Sequence, residues 1–202
     1  MKDEMDILRE VSSIAAGNGS VALSEILGRK IMMEMPALDI ISTKTILDRI
    51  NSEQVVISVS CNILSGLKGV ILFILDEKSA FKLIDMCYRN QTGDKKGGMF
   101  TEMGFSVIKE IGNVITSSYA GALGMILRTV IILSIPTLVS GSIYQALSLV
   151  TSAYSGDKHI LLAEAVFSEP EEKILGTFYL ILNDEAMNSV QEGCKKLLES
   201  LK

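Results

Sequence analysis

The sequence predicts an α/β (α+β) fold: a mainly antiparallel sheet of about six strands packed with helices, made of two copies of one pattern. Three observations carry this expectation. Lowering each number by one hundred lays the segment from Ser106 onto the segment from Asp6 without a gap, so that Glu110 falls on Glu10, Leu123 on Leu23, Leu127 on Leu27, Ile131 on Ile31 and Pro136 on Pro36. Further on the offset becomes 107, and GVILFILDEKSAFKLIDMC (Gly69 to Cys87) lies over GTFYLILNDEAMNSVQEGC (Gly176 to Cys194). Each half also opens with a helical period and passes into β-branched alternation, with two strands in hairpin succession. The expected organisation is one domain over residues 1–202, pseudo-two-fold, with repeats at about 1–92 and 99–202.

In chain order, residues 3–17 predict a first helix, with Ile7, Leu8, Val11, Ile14 and Ala15 on its apolar arc. Gly17-Asn18-Gly19 is expected to interrupt it before a second helix over 20–27, stopped at Gly28. Lys30 to Met35 reads as a short strand ended by Pro36, which has no N–H for a central ladder. Thr43 to Asn51 reads as a helical turn or short helix. Gln54 to Ile63 is an alternating strand, Ser65-Gly66 a turn, and Gly69 to Leu75 an apolar run suited to a buried strand. Asp76 or Ser79 starts a helix to about Tyr88, and the polar NQTGDKKGG stretch links the halves.

The second half repeats that order. A helix over 101–118 is followed by small residues (Ala120, Gly121, Ala122, Gly124) and a strand over 130–135 stopped by Pro136. Residues 143–153 are ambiguous. Strands are expected at 159–168 and 176–182 around a charged turn, and a helix over 184–201 capped by Asn183 or Asp184.

Composition narrows the function classes. The net charge is −5 and no basic cluster exceeds a Lys pair, which argues against nucleic acid. The most lipid-like window, 120–139, contains Arg128, two glycines and Pro136, which argues against membrane insertion. The N-terminal MKDEMD is acidic without an apolar signal core, and the expected location is cytoplasmic. Three cysteines, Cys61, Cys87 and Cys194, match no metal spacing and read as reduced packing residues. His159 has no partner cluster and reads as structural. Gly17-Asn18-Gly19 lacks the framework of a phosphate loop.

The informative feature is a polar stripe opposite the apolar arc of Val107, Ile108, Ile111, Val114 and Ile115. Ser106, Glu110, Asn113 and Ser117 recur at i, i+4, i+7 and i+11 and project the same way from a helix. On a surface helix such a stripe is ordinarily just solvated. Here it is written twice, with Asp6, Glu10 and Ser13 in the first copy.

With its spacing, the stripe resembles the active-site pattern of the CheC, CheX and FliY group of chemotaxis phosphatases: Asp or Ser, three residues, Glu, two residues, Asn, twenty-two residues, Pro. Ser106, Glu110, Asn113 and Pro136 meet it in full. Asp6, Glu10 and Pro36 meet it with Ser13 in place of the Asn. Two copies resemble the CheC branch more than the single-site CheX branch. The FliY branch carries an added motor-binding domain, which this chain is expected to lack. The flanking LREVSSIAAGNGSVALSEILGRK is also similar to the family's first repeat.

The resemblance implies a hydrolase that removes the aspartyl phosphate of the response regulator CheY, and the deamidase CheD as a further partner. No cofactor of its own is implied, the Mg²⁺ belonging to the partner regulator. Such a regulator supplies metal and Lys around the phosphoryl group but lacks a placed water. A carboxamide offers donor and acceptor together and stays neutral, which suits Asn113 for positioning that water. Glu110, one turn earlier, is expected to pair with the regulator's Lys. Glu10 keeps the docking role in the first copy, where Ser13 is too short for both water contacts, so that site is expected to be degenerate. Ser106 and Asp6 are expected to cap their helices or touch the partner, and Pro136 and Pro36 to shape the rim of each site. The alternatives are a non-catalytic adaptor of the same fold, binding CheY or CheD, and a plain oligomerisation domain.

Overall fold

A computed structural model describes residues 2–42, 45, 54–92, 101–152 and 159–200. In order they form α1 (Lys2–Leu27), β1 (Met32–Ser42), β2 (Val55–Ser65), β3 (Gly69–Asp76), α2 (Glu77–Thr92), α3 (Glu102–Leu127), β4 (Ile132–Leu133), β5 (Thr137–Ser142), α4 (Ile143–Ser152), β6 (His159–Glu169), β7 (Ile174–Leu182) and α5 (Asp184–Ser200). The strands make one sheet in the order β1-β6-β7-β3-β2-β4, with β5 also on β2. Every pairing is antiparallel. The α+β architecture read from the sequence is therefore present, with seven strands among the described residues rather than about six.

The main core lies between one sheet face and α1, α2, α3 and α5, around Leu8, Leu23, Phe73, Ile108, Ile115, Tyr119 and Phe178. Tyr119 and Phe178 pack with ring centroids 4.6 Å apart and planes tilted by 50°. A smaller cluster on the opposite face sets Leu147 and Val150 of α4 against Val56, Leu72, Leu162 and Ile181. Strand β3 is thus covered on both sides. This explains its unbroken apolar run, where a strand with one wet face would alternate.

Several expectations change. The break at Gly17-Asn18-Gly19 does not exist, because α1 runs straight through it. A glycine inside a helix costs about 1 kcal/mol relative to alanine. The helix is carried through Gly17 and Gly19 by its packing along α3 and β1, and a Cβ at Gly19 would meet only ordinary contacts, 3.4 Å from Met33 Sδ and 3.7 Å from the Ile115 carbonyl oxygen. The small-residue segment after 118 likewise belongs to a continuous α3.

Pro36 does not end a strand either. It lies within β1, at the sheet edge, where the pairing with β6 shifts register between Glu34 and Ala37. An edge with an irregularity is where a residue without an N–H fits. The strand expected over 130–135 shrinks to Ile132–Leu133, and Pro136 sits between β4 and β5. Residues 143–152 are helix. The helical turn over 43–51 falls outside the described residues except for Thr45.

Caps follow local chemistry. Asp76 Oδ1 accepts from Ser79 N at 2.6 Å, and Asn183 Oδ1 from Ala186 N at 2.9 Å. α1 closes on Gly28 at φ 60°, whereas α3 closes on Arg128 at φ 52°.

Candidate functional site

Thr101 caps α3, its Oγ1 accepting from Gly104 N at 3.2 Å. From there Ile108, Ile111 and Ile115 turn into the core. The polar stripe faces outward, with Ser106, Glu110 and Ser117 exposed and Asn113 half-buried. The side-chain amide of Asn113 and the carboxylate of Glu110 have no hydrogen-bond or ion partner among the described residues. The backbone carbonyl of Asn113 is held, accepting from Thr116 Oγ1 at 3.0 Å.

Ser106 does not cap α3. It lies in the second turn, donating to the Glu102 carbonyl at 2.9 Å, and Thr101 already serves the terminus. Asp6 does not cap α1, which starts earlier, at Lys2, and it instead pairs with Arg9 at 3.4 Å. Both Asp6 and Ser106 remain on the exposed face of their helices.

Glu10 and Ser13 are exposed on α1, so the first stripe also faces outward. Ile14, assigned to the apolar arc, is 49% exposed beside it. Asn18 is exposed and donates to the Ile14 carbonyl at 3.3 Å. Pro136 is half-buried in a segment flanked by β4 and β5, both of which lie against α3.

Helices α1 and α3 pack along one another. Gly19 approaches Ile115, while Ser12 faces Tyr119, so the contacts run in opposite senses and the helices are antiparallel. At 1.5 Å per residue, this sets the two stripes on the order of 20 Å apart along the pair. Ser12 and Tyr119 are both fully buried, and neither makes a hydrogen bond of normal geometry. Burial pushes the Tyr119 phenol up to about 12, with the Ser12 hydroxyl pulling the other way.

Two residues beneath the second stripe escaped the reading from sequence. Gly112 seats α3 against Val59 of β2, and Thr116 Oγ1 lies 3.5 Å from the buried Cys61 Sγ. The available signal was a glycine directly before Asn113 inside a strong helical pattern. Burial raises the Cys61 thiol, with the Thr116 hydroxyl opposing, and raises Cys87 to about 11. Neither is primed as a thiolate. Among the described residues, no cluster of His, Cys, Asp or Glu could hold a metal. No described helix is long and apolar enough to cross a membrane.

The stripe is an open ridge. A depression of about 230 Å³ lies among Leu64, Gly66, Lys68, Glu185 and Ser189, and none of its walls carries a stripe residue. An exposed polar helix face differs from the concave, mostly apolar setting of a small-ligand site.

No family model matches the chain. It is 28% identical over 187 residues to the CheY-P phosphatase CheC of Bacillus subtilis, covering 91% of this chain and 89% of that one. Its fold is that of Thermotoga maritima FliY, with a TM-score of 0.77, 21% identity and 98% of each chain covered. It is also shared with the chemotaxis protein CheX of Desulfovibrio desulfuricans, at a TM-score of 0.56 and 13% identity over 86% of this chain and 99% of that one. In sequence and in fold alike, the chain resembles the CheC, CheX and FliY group of chemotaxis phosphatases, its sequence likeness lying with CheC.

Proposed function

We propose that the protein is a hydrolase acting on the aspartyl phosphate of a CheY-type response regulator, with α3 as the working surface and the cytoplasm as its setting. The observation that carries this reading is the placing of Glu110 and Asn113 on one outward helix face, both side chains without partners among the described residues, in a chain similar to a CheY-P phosphatase. Glu110 docks by pairing with a cationic side chain of the regulator. Asn113 enters the phosphorylated pocket and orders a water in line with the phosphorus. The water oxygen bonds to phosphorus as the acyl P–O bond breaks, releasing inorganic phosphate and the free aspartate. The Mg²⁺ that offsets charge on the phosphoryl oxygens is the regulator's.

In this reading the chain has two repeats and unequal sites. The strand order supports the repeat, since exchanging β2 with β6, β3 with β7, and β1 with β4 only reverses it. Glu10 keeps a docking role at the first site, while Ser13 cannot span both contacts of the water.

The test is decay of phosphorylated CheY with and without the purified protein and its Asn113→Ala variant. Acceleration that disappears with Asn113→Ala supports the assignment. Binding without acceleration would leave an adaptor instead.

A further inference from the structure

We infer that Gly112 and Thr116 are positioning residues for the proposed hydrolysis: they seat α3 on β2 at the depth and rotation that aim Asn113 and Glu110. This rests on the reading just given and adds a second tier to it. A Cβ on Gly112 would stand 2.8 Å from Val59 Cβ and 2.8 Å from its Cγ1, closer than carbon atoms approach. The helix can lie this near the strand only because residue 112 has no side chain. One turn later Thr116, fully buried, meets Cys61, two residues beyond Val59.

The two contacts match in pitch. Four helical residues advance about 6 Å and two strand residues about 6.6 Å, so successive turns of α3 sit on alternate residues of β2. Two seats fix a rotation where one would leave it free. At 100° per residue, Asn113 then stands on the flank of the helix and Glu110 beyond it, in keeping with their half-buried and exposed positions. The Thr116 hydrogen bond to the Asn113 carbonyl ties the seat to the residue it aims.

The first repeat lacks this seat. Ser12 stands where Gly112 does and Ala16 where Thr116 does, and both are buried. The degeneracy at Ser13 therefore has a counterpart one layer down.

The experiment is steady-state hydrolysis of phosphorylated CheY by wild type, Asn113→Ala, Gly112→Ala, Val59→Gly and the Gly112→Ala/Val59→Gly pair, with folding followed by circular dichroism. A displacement near 1 Å costs on the order of 100-fold in rate. Gly112→Ala is therefore expected to lower kcat by about 10-fold to 100-fold with KM changed less than about 3-fold. The pair is expected to recover most of the loss. A folded Gly112→Ala protein with unchanged kcat, beside an inactive Asn113→Ala, overturns the inference and leaves the site reading standing. Asn113→Ala indistinguishable from wild type overturns the site reading and the inference with it. Should Gly112→Ala not fold, Val59→Ile presses on the same contact from the sheet side, and unchanged kcat there is equally decisive against the seat.

Discussion

Thr116 holds Asn113 by its backbone alone, donating to the carbonyl oxygen at 3.0 Å and leaving the carboxamide uncommitted. A side-chain amide already bonded within its own helix would have to break that bond before ordering a water. This one starts ready. Asn113→Ala is expected to slow CheY-P hydrolysis by about 100-fold or more, as loss of other preorganised polar groups does. Ser13→Ala should change it less than about 2-fold, and single-turnover phosphate release compares the two.

Restoring the missing amide at the first site is expected to disappoint. In an Asn113→Ala background, Ser13→Asn should regain less than about a tenth of wild-type turnover, because Ser12 and Ala16 give α1 no seat like that of α3. The same phosphate-release assay checks it.

Arg128 ends α3 in the left-handed region at φ 52°, the conformation that Gly28 supplies at the end of α1. A side chain there costs roughly 1 kcal/mol that glycine avoids. Arg128→Gly should raise stability by about 0.5–1 kcal/mol, read as a higher urea midpoint at unchanged slope.

Ser12 and Tyr119 are buried hydroxyls without hydrogen bonds of normal geometry. Tyr119→Phe removes one of them and keeps the ring on Phe178. Its stability should match or exceed wild type by about 1 kcal/mol at neutral pH. Because burial lifts the phenol from 10.0 to about 12, the wild-type contribution of this group is complete below pH 10 and falls away towards pH 12. The variant lacks that fall in thermal melts across this range.

Glu164 on β6 is half-buried. Burial raises its carboxyl above 4.5, the Tyr179 hydroxyl opposes this, and Asp39 adds to it. A raised carboxyl stabilises the fold below pH 4.5, and the contribution is lost as pH rises through the folded value. Glu164→Gln should therefore gain on wild type in melting temperature as pH climbs from 4 towards neutrality.

The parts legible in sequence were those governed by neighbours along the chain. β3 announced itself by an unbroken apolar run, and the ridge of α3 by strict helical spacing. What escaped was decided at a distance. Gly17 and Gly19 read as a break because the packing that carries α1 through them comes from α3 and β1, remote in sequence. Pro36 read as a stop because nothing local says that β1 lies at an edge. Ile14 read as core because helical spacing alone puts it on the apolar arc, yet it is half exposed. Gly112 went unnoticed because its meaning lies in Val59, fifty-three positions earlier.

The middle of the sheet joins β3 to β7 from Gly69↔Leu182 to Leu75↔Gly176, so each half of the polypeptide contributes one of the two innermost strands. A chain nicked between residues 92 and 101 would yield two pieces, each displaying a greasy, unpaired edge. Neither piece should become native alone. Mixed together, they are expected to reconstitute as a noncovalent pair, and translation of the second half becomes the event that commits the first.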